Sequence, residues 1–310
     1  MRIATVDIGT NTVLLLIVEA RAEGLAPILE RACITRLGEG VDRTRELALA
    51  AIERTNAVLS EYAALVGQHA VDRVAVVGTS AMRDARGGAA VRDHVCSVFG
   101  VEPRVLTGGE EARLTFRGAV SGFDPPASGE VAVFDIGGGS TEVVLGRVPS
   151  GSVVSYAESF DIGSVRLTER IVKHDPPSTD EIEAIERAAR AAFSPVPALR
   201  GPEPPVGVAG TVTTLAAVAT GLAPYDGAAL HGRVLTRAAL AEVVRRLADM
   251  DGETRRGVPG MEPKRADVIV AGGLVVLALL DHWQADALRV SDRGVRWGLA
   301  EELVASPLPG

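Results

Sequence analysis

The chain has 310 residues, which is long for a single core and suits two domains, and its 47% hydrophobic and 23% charged residues are those of a folded globular protein rather than a disordered one. A formal net charge of −8 argues against nucleic-acid or anionic-membrane binding through the surface at large, while leaving room for a polyanion in a local basic groove. The only long apolar run, residues 268–280, is interrupted by Gly272 and Gly273 and is shorter than the ~20 residues of a membrane span; with no signal-peptide pattern in MRIATVDIG, the expected location is cytoplasmic.

In chain order, residues 2–9 and 12–20 read as two apolar strands joined by the turn of Gly9, Thr10 and Asn11. A third strand is expected around 32–37. Leu47, Ala51, Ile52, Val58, Leu59, Tyr62, Leu65 and Val66 then recur with helical spacing. A buried strand follows at 71–79, a helix at 89–99, a strand at 102–107 and a helix from Glu110 to about Ser121. The stretch SGFDPPASGE at 121–130 concentrates Gly, Pro and Ser, which places a domain boundary near 124/125 and gives domains of 1–124 and 125–310. Beyond it, strand 131–135, the loop DIGGGS and strand 141–146 repeat the opening hairpin, so that Asp7-Ile8-Gly9 corresponds to Asp135-Ile136-Gly137. Helices are expected at 163–173, 180–193, 211–221, 237–250 and 263–283, strands at 205–208 and 287–290, and a last helix at about 294–305 that could return to the first domain. Residues 195–205, PVPALRGPEPP, read as a rigid surface connector. Strands alternating with helices predict an α/β fold, and two copies of one hairpin suggest the two jaws of a cleft.

The chemistry concentrates at the ends of these strands. Gly137, Gly138 and Gly139 can turn successive amides toward an anion, and Thr10, Asn11, Thr12, Ser140 and Thr141 add donors, which makes each hairpin a phosphate cradle. Gly210 and Thr211, where a strand gives way to a helix, offer a third phosphate-binding element. Asp7, Asp135 and Glu142 are placed to hold Mg²⁺, or Mn²⁺, beside bound phosphate. Of Glu110 and Glu111, one is expected to serve the helix terminus and the other to act as general base. Arg83 is the favoured phosphate cation over Arg113, Arg117, Arg293 and Arg296, because it follows a strand directly. The five histidines lack metal-ligand spacing, and His231 alone has a loop context that hints at a site. Cys33 and Cys96 read as core residues of a reducing compartment.

The segments DIGTNTVLLLIV, GTSAMRDA, VLTGGEEARLTFRGAV, VFDIGGGSTEVVLG, VAGTVTTLAA and SDRGVRWGLAEEL together resemble the exopolyphosphatase/guanosine pentaphosphate phosphohydrolase (Ppx/GppA) family from residue 3 to about 303. That resemblance implies two ribonuclease H-like domains of the actin-like superfamily facing each other across a cleft. It implies hydrolysis of the terminal phosphoanhydride of inorganic polyphosphate, or of the 5′-phosphate of pppGpp, and a homodimer. By the same resemblance Glu111 is the general base, Asp135 and Glu142 lie near Mg²⁺, and Arg83 binds phosphate. Two departures stand out: Thr10 and Thr12 replace the family's serines, and Trp297 occupies a position where the family usually has Glu. By the same resemblance a short form is expected, without the helical C-terminal extension of longer members. Two rivals remain at this level. One is a kinase or ATPase of the same superfamily, with VAGGLVV at 270–276 as an adenosine-contacting segment; the other is a phosphate sensor without turnover. The Glu110-Glu111 pair favours hydrolysis.

Overall fold

A computed structural model describes residues 1–123, 130–147, 153–201, 203–224 and 226–306. The chain divides into two units, Met1–Gly118 with Val295–Gly310 and Ala119–Gly294. The boundary expected at 124/125 lies outside the described residues, and the first division falls instead within a helix that ends at Val120.

In the first unit, β1 (Arg2–Ile8), β2 (Thr12–Arg21) and β3 (Gly24–Ile34) form an antiparallel meander, and β4 (Arg73–Gly78) and β5 (Arg104–Val105) continue it parallel to β1, in the order β3-β2-β1-β4-β5. Between them come α1 (Val41–Thr44), α2 (Leu49–Gln68), α3 (Ser80–Asp84) and α4 (Gly88–Phe99), and after β5 comes α5 (Gly108–Val120). Alternate residues of β1 and β2 supply two cores. Ala4, Val6, Ile8, Val13, Leu15 and Ile17 pack with Leu59, Tyr62, Val91 and Val95 of α2 and α4. On the opposite face Ile3, Leu16 and Val18 pack with residues of the terminal helix Val295–Ala305.

The second unit repeats this plan. β6 (Glu130–Ile136), β7 (Thr141–Arg147) and β8 (Val153–Phe160) are antiparallel; β9 (Val206–Val208) runs parallel to β6, β11 (Ala287–Val290) runs parallel to β9, and β10 (Val234–Thr236) adds an antiparallel edge. The order 3-2-1-4, antiparallel and then parallel, is thus present in both sheets, each continued by a further parallel strand (β5, β11), and is the ribonuclease H-like arrangement. Its helices are α6 (Ser164–Ile171), α7 (Thr179–Phe193), α8 (Ala209–Thr220), α9 (Gly227–Leu230), α10 (Arg237–Ala248), α11 (Gly252–Arg256) and α12 (Ile269–Trp283), and the terminal helix Val295–Ala305 of the first unit is α13. α12 is apolar on nearly all sides and is accordingly buried. A Cβ at Gly272 would lie 2.6 Å from Thr211 Cγ2 and one at Gly273 2.5 Å from Val244 Cγ2, so these glycines let α8 and α10 approach. The segment 270–276 is a packing element of the second unit's core.

Three expectations need correction. The third strand is β3, earlier and longer than 32–37, because residues 35–38 turn back to bond the first hairpin loop. The expected helix 263–283 is a 3-10 turn at Pro263–Arg265 followed by α12. Cys33 is only half-buried and Cys96 is exposed, since Cys96 falls on the solvent side of α4. The connector 195–205 is pinned by His282 Nε2 on the carbonyl of Val196, at 2.7 Å, and Trp283 Nε1 on that of Pro197, at 3.1 Å. No helix among the described residues is long and apolar enough to cross a membrane.

Candidate active site

In each sheet the first strand has an antiparallel neighbour on one side and a parallel one on the other, and ligand groups gather at the carboxyl ends beside such a switch. In the first unit these ends carry Asp7 on β1, Arg83 on α3 just past β4, and Glu111 on α5 just past β5. Asp7 is buried. The turn 9–12 is closed by Gly9 N–H on the carbonyl of Thr12, at 3.0 Å. Its carbonyls are held from behind: Gly38 N–H donates to Thr10 at 2.8 Å, and the amides of Thr35 and Arg36 donate to Asn11 at 3.0 Å. A Cβ at Gly38 would lie 2.3 Å from Thr10 Cγ2, so the approach requires glycine. The buried Asn11 Nδ2 has no acceptor among the described residues.

Glu110 and Glu111 separate cleanly. Glu110 Oε2 accepts from the amide of Thr107 at 2.9 Å and its hydroxyl at 2.7 Å, and Glu110 N–H returns to Thr107 Oγ1 at 3.3 Å. This is a capping box, and the Thr107 donors hold the Glu110 carboxyl below its ordinary range. Glu111 is 7% exposed and accepts from Arg83 Nη1 at 3.0 Å. Arg83 also reaches the carbonyl of Leu106 at 3.1 Å and Asp84 Oδ1 at 3.2 Å, and Asp84 in turn is steadied by Ser80 Oγ at 3.1 Å. The contact fixes the buried Glu111 carboxylate in orientation against the Arg83 guanidinium.

The second unit builds its loop in the same way. Gly137 N–H closes on the carbonyl of Ser140 at 3.0 Å; the amides of Ser164, Val165 and Arg166 take the carbonyls of Gly137 and Gly138, and Arg166 Nε takes that of Gly139 at 2.6 Å. With these carbonyls bound by α6, the N–H groups of Gly138, Gly139 and Ser140 meet no acceptor among the described residues. Successive amides of this kind at a strand end are the arrangement that an anion-binding nest uses. A Cβ at Gly163 would fall 2.4 Å from the carbonyl oxygen of Gly138, so the loop is seated on a glycine. Asp135 and Glu142 are cross-strand partners in the β6–β7 register and therefore share one face; Glu142 is buried and accepts from Ser159 Oγ at 2.7 Å.

Several predicted donors have other tasks. Thr141 Oγ1 donates to the carbonyl of Ile162 at 2.6 Å and Thr211 Oγ1 to that of Ile136 at 3.1 Å, so both hydroxyls brace the loop from within. Gly210 lies beneath the guanidinium of Arg265, which a Cβ there would meet at 2.1 Å. Asp7 has Leu14 opposite it where Asp135 has Glu142, so the first hairpin offers one carboxylate rather than two. Among the described residues no three Asp, Glu, His or Cys side chains gather as a metal cluster. Arg296 is buried, bonding the carbonyl of Leu15 at 3.1 Å and Glu30 at 3.3 Å, and Arg117 lies 4.0 Å from Glu301; both are structural. Trp297, 1% exposed, fills the apolar cluster with Ile3, Leu16 and Val18 and has become a packing residue. The sequence reading missed Thr107, although T-x-x-E before a helix is a capping signature, and missed Ser159 and Arg265, which no local pattern marks.

The profile of the Ppx/GppA phosphatase family matches residues 16–306. Exopolyphosphatase 2 of Mycobacterium tuberculosis is 40% identical over 320 residues, covering 97% of this chain and 98% of its own length. The solved PPX-GPPA enzyme of Aquifex aeolicus superposes with a TM-score of 0.82 at 36% identity, covering 97% of this chain and 99% of that one. A guanosine-5′-triphosphate,3′-diphosphate pyrophosphatase of Photobacterium profundum is 28% identical over 307 residues, covering 97% of this chain and 59% of its own.

Proposed function

The chain belongs to the Ppx/GppA phosphatase family, and from that premise we propose that it is an exopolyphosphatase, releasing orthophosphate from the end of inorganic polyphosphate with Glu111 as the base. The observation that carries the reading is the division of labour between two adjacent acids: Glu110 is consumed by the capping box, while Glu111 is buried and tied to Arg83. Glu111 takes the proton of a water as that water's oxygen bonds to the terminal phosphorus. The bridging P–O bond breaks, and the shortened chain leaves with its electron pair. Arg83 offers the cation that phosphoryl transfer requires, because negative charge is spread over the equatorial oxygens in the transition state. In the second unit, the amides of Gly138, Gly139 and Ser140 suit phosphate oxygens.

Asp135 and Glu142 fit a hard divalent cation: they are adjacent carboxylates, and Mg²⁺ is commonly held by one or two carboxylates, with phosphate oxygens and water completing its shell. When bound, Mg²⁺, or Mn²⁺ in its place, would neutralise charge on the phosphates. The 40% identity to a protein named exopolyphosphatase, against 28% to a protein named for pppGpp, favours polyphosphate as substrate.

The deciding experiment follows phosphate release from polyphosphates of defined length, pppGpp and ATP, with Mg²⁺ and with chelator. Release from polyphosphate that stops on chelation is expected. Consumption of pppGpp or ATP alone would overturn the substrate assignment, and metal-independent release would remove the role given to Asp135 and Glu142.

A further inference from the structure

The backbone passes between the two units twice, at Gly118/Ala119 and at Gly294/Val295. Within the second unit one imidazole joins the segments leading to both passages. His231 follows α9, whose end is fixed by Gly232 N–H on the carbonyl of Val290 at 2.9 Å. Toward the first passage, His231 Nε2 lies 3.3 Å from the carbonyl of Gly122, and its ring stacks on Phe123 with centroids 4.5 Å apart and planes 10° from parallel. The Arg289 guanidinium also lies over the Phe123 ring, 5.6 Å from its centre. Toward the second passage, His231 Nδ1 lies 2.7 Å from Asp292 Oδ1 and 3.4 Å from Asp292 N–H. A neutral ring protonated on Nε2 bonds the Gly122 carbonyl and accepts the Asp292 amide; a charged ring bonds the same carbonyl and the Asp292 carboxylate. In either state His231 bridges the two segments. Ser291 Oγ adds a direct tie, 3.3 Å from the carbonyl of Ala119. A Cβ at Gly122 would fall 2.4 Å from Nε2, so the chain comes this close only with glycine there.

We propose that His231 is a positioning residue that pins both passages to the second unit and thereby sets the pivot for movement of one unit against the other. Hinges are commonly a few residues at element ends, remote from the chemistry, whose alteration changes kcat and KM together. The effect on turnover presupposes the hydrolase reading above; the structural pin does not.

Hydrogen exchange of the full-length protein tests the pin, with His231→Ala and, should that variant fold poorly, Phe123→Leu, which removes the stacking ring but keeps an apolar side chain. Peptides covering 119–123 and 288–293 are expected to exchange about tenfold faster, the scale of one lost net hydrogen bond, while α12 exchanges as in wild type. With polyphosphate and Mg²⁺, kcat and KM should move together. Faster exchange in one passage only, in neither, or equally in α12 would overturn the pin. Two loosened passages with wild-type kcat and KM would overturn the pivot. A wild type that releases no phosphate would sink the hydrolase reading, and the exchange result would still decide the pin.

Discussion

Replacing Glu110 and Glu111 in turn should give opposite phenotypes from neighbouring positions. In Glu111→Gln the side chain keeps its shape and can still face Arg83, but it cannot accept a proton from water. Loss of general-base assistance is worth roughly 10²–10⁴ in rate, or about 2.7–5.5 kcal/mol of barrier. Folding should suffer less. Arg83 keeps the carbonyl of Leu106 and the carboxylate of Asp84, so its charge is not stranded, and its side chain is 24% exposed. The bond from Arg83 loses the acceptor's charge, a loss of at most about 1.5–3 kcal/mol before discounting for that exposure. Glu110→Ala removes one arm of the capping box and should cost about 0.5–2 kcal/mol of stability, with kcat left near the wild-type value. Initial rates of phosphate release from polyphosphate with Mg²⁺, read beside urea denaturation midpoints, separate the two. Equal losses of kcat in both variants, or full activity in Glu111→Gln, would refute the assignment and leave both acids as helix-terminus residues.

Gly163→Ala sets a Cβ 2.4 Å from the carbonyl of Gly138 and should push the second loop off its seat, at about 1–3 kcal/mol for overpacking, with weakened polyphosphate binding seen by titration; unchanged affinity would mean that the loop does not meet the substrate. Asp135→Asn and Glu142→Gln should each raise the Mg²⁺ concentration for half-maximal rate, whereas metal dependence like that of wild type would exclude the pair as ligands. Glu181 carries a pH signature. The amides of Ser178 and then Lys173, with His174, hold its carboxyl at about 2 against an ordinary 4.5, so its contribution is present above pH 4.5 and is lost as pH falls toward 2. Urea midpoints of wild type and Glu181→Gln should therefore differ at neutral pH and converge in acid; a gap that stays constant would contradict the linkage.

The central hairpins were legible because β1 and β2 are buried on both faces, which writes an unbroken apolar run with one polar turn. The edge strands were not. β3 mixes Glu30 and Arg31 into an exposed edge, and β8 places Ser155 and Ser159 at positions whose hydroxyls bond the carbonyl of Leu145 and the carboxylate of Glu142. A strand whose polar residues serve its neighbour looks, in isolation, like a loop. The last helix, expected to return to the first domain, does pack there as α13, with Trp297 and Ala300 against Ile3, Leu16 and Val18; which of its residues meet that sheet could not be read locally.

The candidate site divides along the same line. Groups fixed by local chemistry, the glycine turn, its donors and the acid pair after β5, could be read from spacing. Roles that depend on register could not. The two Asp-Ile-Gly hairpins look equivalent in sequence, yet Asp7 faces Leu14 and Asp135 faces Glu142. One cross-strand substitution turns a lone carboxylate into a pair, and a divalent cation gains far more from two adjacent carboxylates than from one beside an alkyl chain. On the function proposed above, the duplicated fold would supply an anion cradle twice, and the residue opposite the aspartate would distinguish the copies: the second hairpin pairs it with another acid, and the first sets it against Leu14, with Glu111 brought from α5 to Arg83.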